Sequence, residues 1–205
     1  MTQRFQVHPQ NPQVRLIRQA VKIVTEGGLL VYPTDSCYAF GCHIGDREAA
    51  GRIQRIRQTG KDHNFTLVCR DLSEIATYAR VDNWAYRLLK AHTPGPYTFI
   101  LQATREVPRR LQNPRRQTIG IRVPAHPVPQ ALLAELGEPI MSSTLLPDMD
   151  LPLSDPDEIF TALSGRVDLF LDSGNCGVEP STVVDLTGGF PVVVRTGKGD
   201  VRDLQ

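Results

Sequence analysis

The chain has 205 residues, a hydrophobic content of 40%, a charged content of 22% and a formal net charge of +1. That length fits one domain with a full core, read here as a single domain over residues 1–205, and the composition is that of an ordinary water-soluble globular protein. No apolar run approaches the roughly 20 residues of a membrane span, and the opening "MTQRFQVHPQNP" has no signal-peptide apolar core, so a cytoplasmic protein without membrane partners is expected.

In chain order, Asn11 and Pro12 read as the N-cap and first position of a helix carrying Ile17, Ala20, Val21 and Val24 at helical spacing, closed by Gly27 and Gly28. "LLVY" (29–32) is a buried strand stopped by Pro33; Thr34, Asp35 and Ser36 follow at its carboxyl end, closed off by Gly41. Ligands of α/β proteins tend to bind beyond the carboxyl ends of strands, but Pro, Asp and Ser are also turn residues, and this stretch alone allows both readings.

Residues 46–58 suit a second helix with Ala49, Ile53 and Ile56 inward. "FTLVC" (65–69) is a strand, "DLSE" (71–74) a capping-box-like helix start, and 82–92 a further helix with Trp84, Leu88 and Leu89 on one face. After the "PGP" break come the strand "YTFILQA", the strand "TIGIRV" (118–123), a helix around 127–136, and the strand "PIMSST" (139–144). Ser154 to Glu158 opens a helix, "VDLFL" is a strand, and "STVVDL" and "PVVVR" complete the sheet. Helices and strands intermix without repeats or linkers, which predicts a mixed α/β sheet with flanking helices.

The four cysteines, Cys37, Cys42, Cys69 and Cys176, are too scattered for a disulfide framework or a zinc tetrad, and the five histidines show no ligand spacing. Neither a bound metal nor an organic cofactor is expected. Charge is segregated: residues 46–61 carry Arg47, Arg52, Arg55, Arg57 and Lys61 against two acids, residues 105–116 carry five arginines against Glu106, and residues 135–172 carry nine acids and one base. Two basic runs are either solvated faces or a surface for an anion such as RNA; on the second reading Arg52, Arg55, Arg109, Arg110, Arg115 and Arg116 contact phosphates.

Three strand ends carry hydroxyl clusters: Thr34 and Ser36; Ser142, Ser143 and Thr144; Ser181 and Thr182. Arg122 and Arg195 punctuate strands and Arg57 follows a helix. Hydroxyls and guanidinium groups together bind phosphate or carboxylate. A buried Arg among strands needs an anionic partner, either bound or internal, with Asp35 and Asp185 as the internal candidates. Neither a Walker A loop nor a GxGxxG motif is present.

Taken together, "VYPTDSCYAFGC", "PGPYTFIL", "IGIRVPAHP", "PIMSST", "PSTVVDL" and "VVRTGKGD" resemble, in this order and spacing, the YrdC/YciO family, from near residue 11 to near residue 200. Within it, "RIRQ" and "HNFTL" resemble the YciO branch. The resemblance implies a twisted mixed sheet around a deep basic cavity and binding of double-stranded RNA or tRNA. It also implies kinship with enzymes that make threonylcarbamoyl-adenylate from threonine, bicarbonate and ATP with magnesium, for tRNA threonylcarbamoyladenosine modification.

Carried over residue by residue, the resemblance implies that Thr34, Arg122 and Ser181 bind the threonine substrate. It likewise implies that Arg57, Thr118, Ser142, Ser143, Thr144 and Arg195 contact the nucleotide. Two positions depart from the synthases: their Lys-x-Arg pair is Arg57, Gln58, Thr59 here, and their Ser-x-Asn is Thr144, Leu145, Leu146. One phosphate-binding cation and one amide are thereby lost, since Leu makes no hydrogen bond with its side chain. Two functions follow as expectations: an RNA-binding protein with a nucleotide-type pocket, and an active threonylcarbamoyl-AMP synthase, a nucleotidyltransferase, with a weakened ATP site.

Overall fold

A computed structural model describes residues 1–58, 64–145 and 154–204. Its strands are β1 (Gln3–Gln6), β2 (Leu30–Tyr32), β3 (Ala39–His43), β4 (Thr66–Val68), β5 (Ala79–Arg80), β6 (Tyr97–Ala103), β7 (Thr118–Arg122), β8 (Ile140–Thr144), β9 (Leu169–Asp172), β10 (Thr182–Asp185) and β11 (Val192–Arg195). The helices are α1 (Val14–Thr25), α2 (Arg47–Ile56), α3 (Leu72–Tyr78), α4 (Asn83–His92), α5 (Pro127–Leu136) and α6 (Pro156–Leu163). The strands form one mixed sheet in the order β1-β9-β2-β3-β8-β4-β7-β6-β10-β11, with β5 paired to β6. Parallel pairs (β1–β9, β2–β9, β4–β7, β6–β10) occur beside antiparallel ones, as expected of a mixed α/β sheet.

Strand alternation divides the core. Leu29 and Val31 join Tyr38, Phe40, Met141 and Phe170 in one buried cluster, which also takes Ile53 of α2, Leu89 of α4 and Ile159 of α6. Leu30, Tyr32, Ile140, Leu169 and Leu171 point the other way, against Ile17, Ala20 and Val24 of α1 and Val128, Leu132 and Leu133 of α5. Each fully buried aliphatic or aromatic side chain contributes about 1.5–3 kcal/mol, so both faces hold the sheet.

The helix starts follow from capping chemistry. Asp46, Asp71 and Asp155 cap α2, α3 and α6 through side-chain oxygens, and Glu74 accepts from the Arg70 N–H at 2.6 Å, which completes the box-like start of α3. Two sequence expectations are corrected. The first helix begins at Val14 with Gln13 as N-cap, because the Gln10 and Asn11 N–H groups donate to His8 Nδ1 and hold that segment as a turn. Residues 39–43 form a second strand, so 29–43 is a hairpin with Leu30 opposite Gly41 and Tyr32 opposite Ala39. Gly41 does not end the segment; it lies within β3, where a Cβ would come within 2.9 Å of the Tyr32 ring. The amino-terminal β1 carries little strand signal, and it is held by Arg4, which binds Asp172 at 2.6 Å and lies over the rings of Phe160 and Phe170.

Candidate functional site

Helices α1 and α5 cover one half of their face of the sheet. On the other half, β4, β7, β6 and β10 turn Thr66, Thr118, Gly120, Thr98, Ile100, Ser181 and Val183 toward a cavity of about 780 Å³. The register sets this floor: Thr66 lies opposite Gly120, Gly120 opposite Ile100, and Val183 opposite Thr98. Phe65, Leu111, Ile119 and Val194 give the cavity an apolar wall.

Its charge comes from Arg57, Arg116 and Arg195, and no Asp or Glu is among the described lining residues. Arg57 sits at the C-cap of α2 and donates from Nη1 to Ser143 Oγ at 2.5 Å. Arg195 donates from Nη2 to the Ser181 carbonyl at 2.8 Å. Arg116 donates to Asp185 at 2.7 Å and to Thr187 Oγ1 at 2.8 Å. Burial opposes ionisation of Asp185, but hydrogen bonds from Thr187 and the Arg116 ion pair outweigh it, and the carboxyl is held below its ordinary range. Asn113 and Asn64 meet at 3.4 Å on the rim.

Of the residues assigned to nucleotide by resemblance, Arg57, Thr118, Ser143, Thr144 and Arg195 line this cavity. Ser142 does not: it lies on the helix-covered side, where Tyr32 and Ser142 share a 2.8 Å hydrogen bond and Ser142 donates to the Phe40 carbonyl. With the Ser142 proton spent on Phe40, the Tyr32 hydroxyl is the donor between the two, and burial pushes it up to about 12. Ser142 lies opposite Thr66 of the cavity floor, but its hydroxyl is engaged by Tyr32 and Phe40, a distinction that a run of hydroxyls does not reveal. Sequence reasoning also missed Asn64, Thr66, Thr98 and Asn113, and read Arg116 only as part of an exposed basic run; only strand pairing brings these together. Thr59 and Leu146, the two positions that depart from the synthases, lie outside the described residues.

Thr34 and Arg122 meet each other and are not among the residues that line the cavity, whereas Ser181 is. The Arg122 side chain is 4% exposed and its Nη2 donates both to Thr34 Oγ1 at 3.3 Å and to Asp35 Oδ1. Thr34 Oγ1 donates to the Cys37 carbonyl at 2.6 Å and accepts from the Ser36 and Cys37 N–H groups, which makes 34–37 a turn stapled by its own threonine. Ser181 Oγ bonds Thr98 Oγ1 at 2.8 Å. Thus Arg122 has an internal partner in Asp35, whereas Asp185 serves Arg116.

The loop after β11 binds these parts together. Lys198 donates from its backbone N–H to the Pro180 carbonyl at 2.9 Å and from Nζ to the Asp35 carbonyl at 2.5 Å. A Cβ at Gly197 would lie 2.2 Å from the Pro180 oxygen, so only glycine allows this approach.

The basic runs divide. Arg52 pairs with Asp168 at 2.6 Å and with the Arg166 carbonyl, and Arg110 donates to the Ile44 carbonyl at 3.1 Å. Burial and the adjacent Arg47 lower the pKa of Arg110. Arg55, Arg109 and Arg115 are exposed. The four cysteines are free thiols, and the described residues contain no cluster of His, Cys, Asp and Glu that could hold a metal. No helix among them is long and apolar enough to cross a membrane.

The Sua5/YciO/YrdC family model, described as "Telomere recombination", matches residues 22–197. The YciO protein of Escherichia coli K12 is 58% identical over 203 residues, covering 98% of each chain. A threonylcarbamoyl-AMP synthase of Chromobacterium violaceum is 31% identical over 190 residues, covering 88% of this chain and 94% of its own. The crystal structure of E. coli YciO superposes with a TM-score of 0.96 at 57% identity over all of both chains. That of P. abyssi Sua5 in complex with L-threonine superposes with a TM-score of 0.89 at 24% identity, over 98% of this chain and 59% of that one, a likeness of fold. The chain belongs to the Sua5/YciO/YrdC family.

Proposed function

We propose that the cavity binds an ATP-type nucleotide, that Thr34, Arg122 and Ser181 bind the amino acid beside it, and that the protein serves tRNA threonylcarbamoyladenosine modification, meeting RNA through its exposed arginines. The observation that carries this reading is the cavity itself: three arginines and a ring of hydroxyls on a wall whose described residues include no carboxylate. Phosphate groups gain charge-assisted bonds from guanidinium and neutral bonds from hydroxyls, and the apolar wall suits a base. Magnesium enters with the nucleotide, as part of the substrate.

A second reading, active threonylcarbamoyl-AMP synthesis, is favoured by the meeting of Thr34 with Arg122 and by the 31% identical synthase. In that chemistry the threonine carbamate attacks the α-phosphorus and pyrophosphate leaves. The chain would position and stabilise charge rather than supply a nucleophile. The loss of the Lys-x-Arg pair at Thr59 weakens it.

The test is pyrophosphate release from ATP with threonine and bicarbonate, run beside calorimetric binding of magnesium-ATP. Binding without threonine-dependent release supports the nucleotide-binding reading; threonine- and bicarbonate-dependent release supports the synthase; no binding of either ligand refutes both.

A further inference from the structure

Arg122 and Asp35 form a buried ion pair, with side chains 4% and 13% exposed, and the pair is incomplete. A guanidinium offers a side-on fork of Nε–H and Nη2–H that matches the two oxygens of one carboxylate. Here Nη2 serves Asp35 Oδ1 and Thr34 Oγ1, while Nε is buried with no hydrogen-bond partner among the described residues. Asp35 does not fill it, because its second oxygen accepts from the Ala125 N–H at 3.0 Å. Lys198 holds the Asp35 backbone carbonyl and leaves the carboxylate to Arg122 and Ala125. A buried donor left unmade is costly and calls for an acceptor from elsewhere.

The class of acceptor follows from charge. A plain carboxylate that took both prongs of Arg122 would strand Asp35 as an unpaired buried anion, the outcome that makes breaking a buried pair so unfavourable. A zwitterion avoids this. Its carboxylate fills Nε and Nη2, its ammonium takes Asp35 Oδ1, one ion pair becomes two, and the net charge of the site is unchanged.

We propose that Arg122 and Asp35 exchange partners on binding an α-amino acid, and that Asp35 selects ligands bearing an ammonium beside the carboxylate. This rests on the amino-acid reading of Thr34 and Arg122 given above and specifies how that site discriminates.

The full chain is titrated calorimetrically with L-threonine, with 2,3-dihydroxybutanoate, which replaces the amine by a hydroxyl, and with L-threonine amide, which removes the carboxylate. Threonine should bind the unmodified chain at least about tenfold more tightly than either analogue, since each leaves one charged group unpaired. Asp35→Asn, similar in volume, should weaken threonine about tenfold while holding or improving dihydroxybutanoate, so that the preference collapses. Equal binding of threonine and dihydroxybutanoate by the unmodified chain overturns the exchange, and that comparison needs no variant to fold. An unchanged preference in folded Asp35→Asn overturns the role of Asp35. If neither carboxylate titrates at all, the amino-acid reading itself falls and the exchange with it, a result distinct from equal binding.

Discussion

Arg57 Nη1 and Ser143 Oγ meet at 2.5 Å, which fastens the C-cap of α2 to the end of β8 at the cavity wall. The bond joins residues 86 positions apart and fixes a guanidinium at the cavity, which the proposed function gives to a nucleotide phosphate. Arg57→Ala should lower affinity for magnesium-ATP by about one to two decades, the worth of a charge-assisted contact of roughly 1.5–3 kcal/mol. Calorimetry checks the affinity and thermal melting checks the fold. A folded variant with unchanged affinity would make Arg57 a purely structural tie.

Ser142 and Ser143 are adjacent in sequence and should differ in effect. Ser142→Ala removes the acceptor of the buried Tyr32 hydroxyl and should destabilise by about 1–3 kcal/mol while leaving nucleotide affinity unchanged. At about 2–4 °C per kcal/mol for a chain of this size, melting resolves the loss. Adding Tyr32→Phe removes the stranded donor and should recover part of it. A nucleotide defect in Ser142→Ala with normal melting would contradict this assignment.

For RNA, the exposed arginines should contribute and the engaged ones should not. Arg55→Ala, Arg109→Ala and Arg115→Ala should together flatten the salt dependence of double-stranded RNA binding, by up to about one unit of slope for each arginine that no longer meets a phosphate. Arg52→Ala removes the Asp168 ion pair and should lower stability with little change in slope. The reverse pattern would move the RNA footprint to the face of Arg52.

A pH effect follows from His126, which caps α5 by accepting the Val128 N–H on Nδ1 at 3.2 Å. Burial lowers its pKa below the ordinary 6.5, so the folded protein holds the neutral ring. The folded state then binds fewer protons than the unfolded one, and this contribution is present above pH 6.5 and is lost as the pH falls toward the folded-state pKa. His126→Asn keeps a capping acceptor and should flatten the melting profile between pH 7 and pH 5, values chosen to bracket roughly the unperturbed His pKa. A profile equally steep in the variant would assign the pH dependence to another group.

Much of this architecture was legible because period and caps agree: α5 begins at Pro127 and ends at Leu136 as its pattern predicts, and "YTFILQA" is β6. β3 was not legible, since Ala39 and Gly41 carry weak strand propensity and owe their place to pairing with β2 and β8. The hydroxyl clusters and strand arginines pointed to an anion site, and most of the assigned nucleotide set does share one cavity. Two things needed three dimensions: which way each hydroxyl faces, and that Asp35 already holds Arg122.

The loop after β11 gives the last test. Gly197 lies against the Pro180 and Ser181 carbonyls, its N–H donates to Thr182 Oγ1 at 3.0 Å, and Thr182 Oγ1 in turn donates to the Gly199 carbonyl at 2.7 Å. With Arg195 bound to the Ser181 carbonyl, one short segment sets the position of a cavity arginine and of Ser181, which the proposed function gives to the amino acid. A methyl group at 197 would sit 2.2 Å from a backbone oxygen that cannot rotate away, so the segment and the 180–182 turn must part. Gly197→Ala should therefore weaken nucleotide and amino acid together, each by about tenfold or more, since small misplacements of positioning groups are costly. Arg195→Ala should weaken the nucleotide alone. Gly188→Ala, where a Cβ meets nothing within 4 Å, is the matched control and should leave both affinities unchanged. If Gly197→Ala binds both ligands as the unmodified chain does, the loop does not set the site. If it loses the nucleotide only, Ser181 does not belong to the amino-acid half.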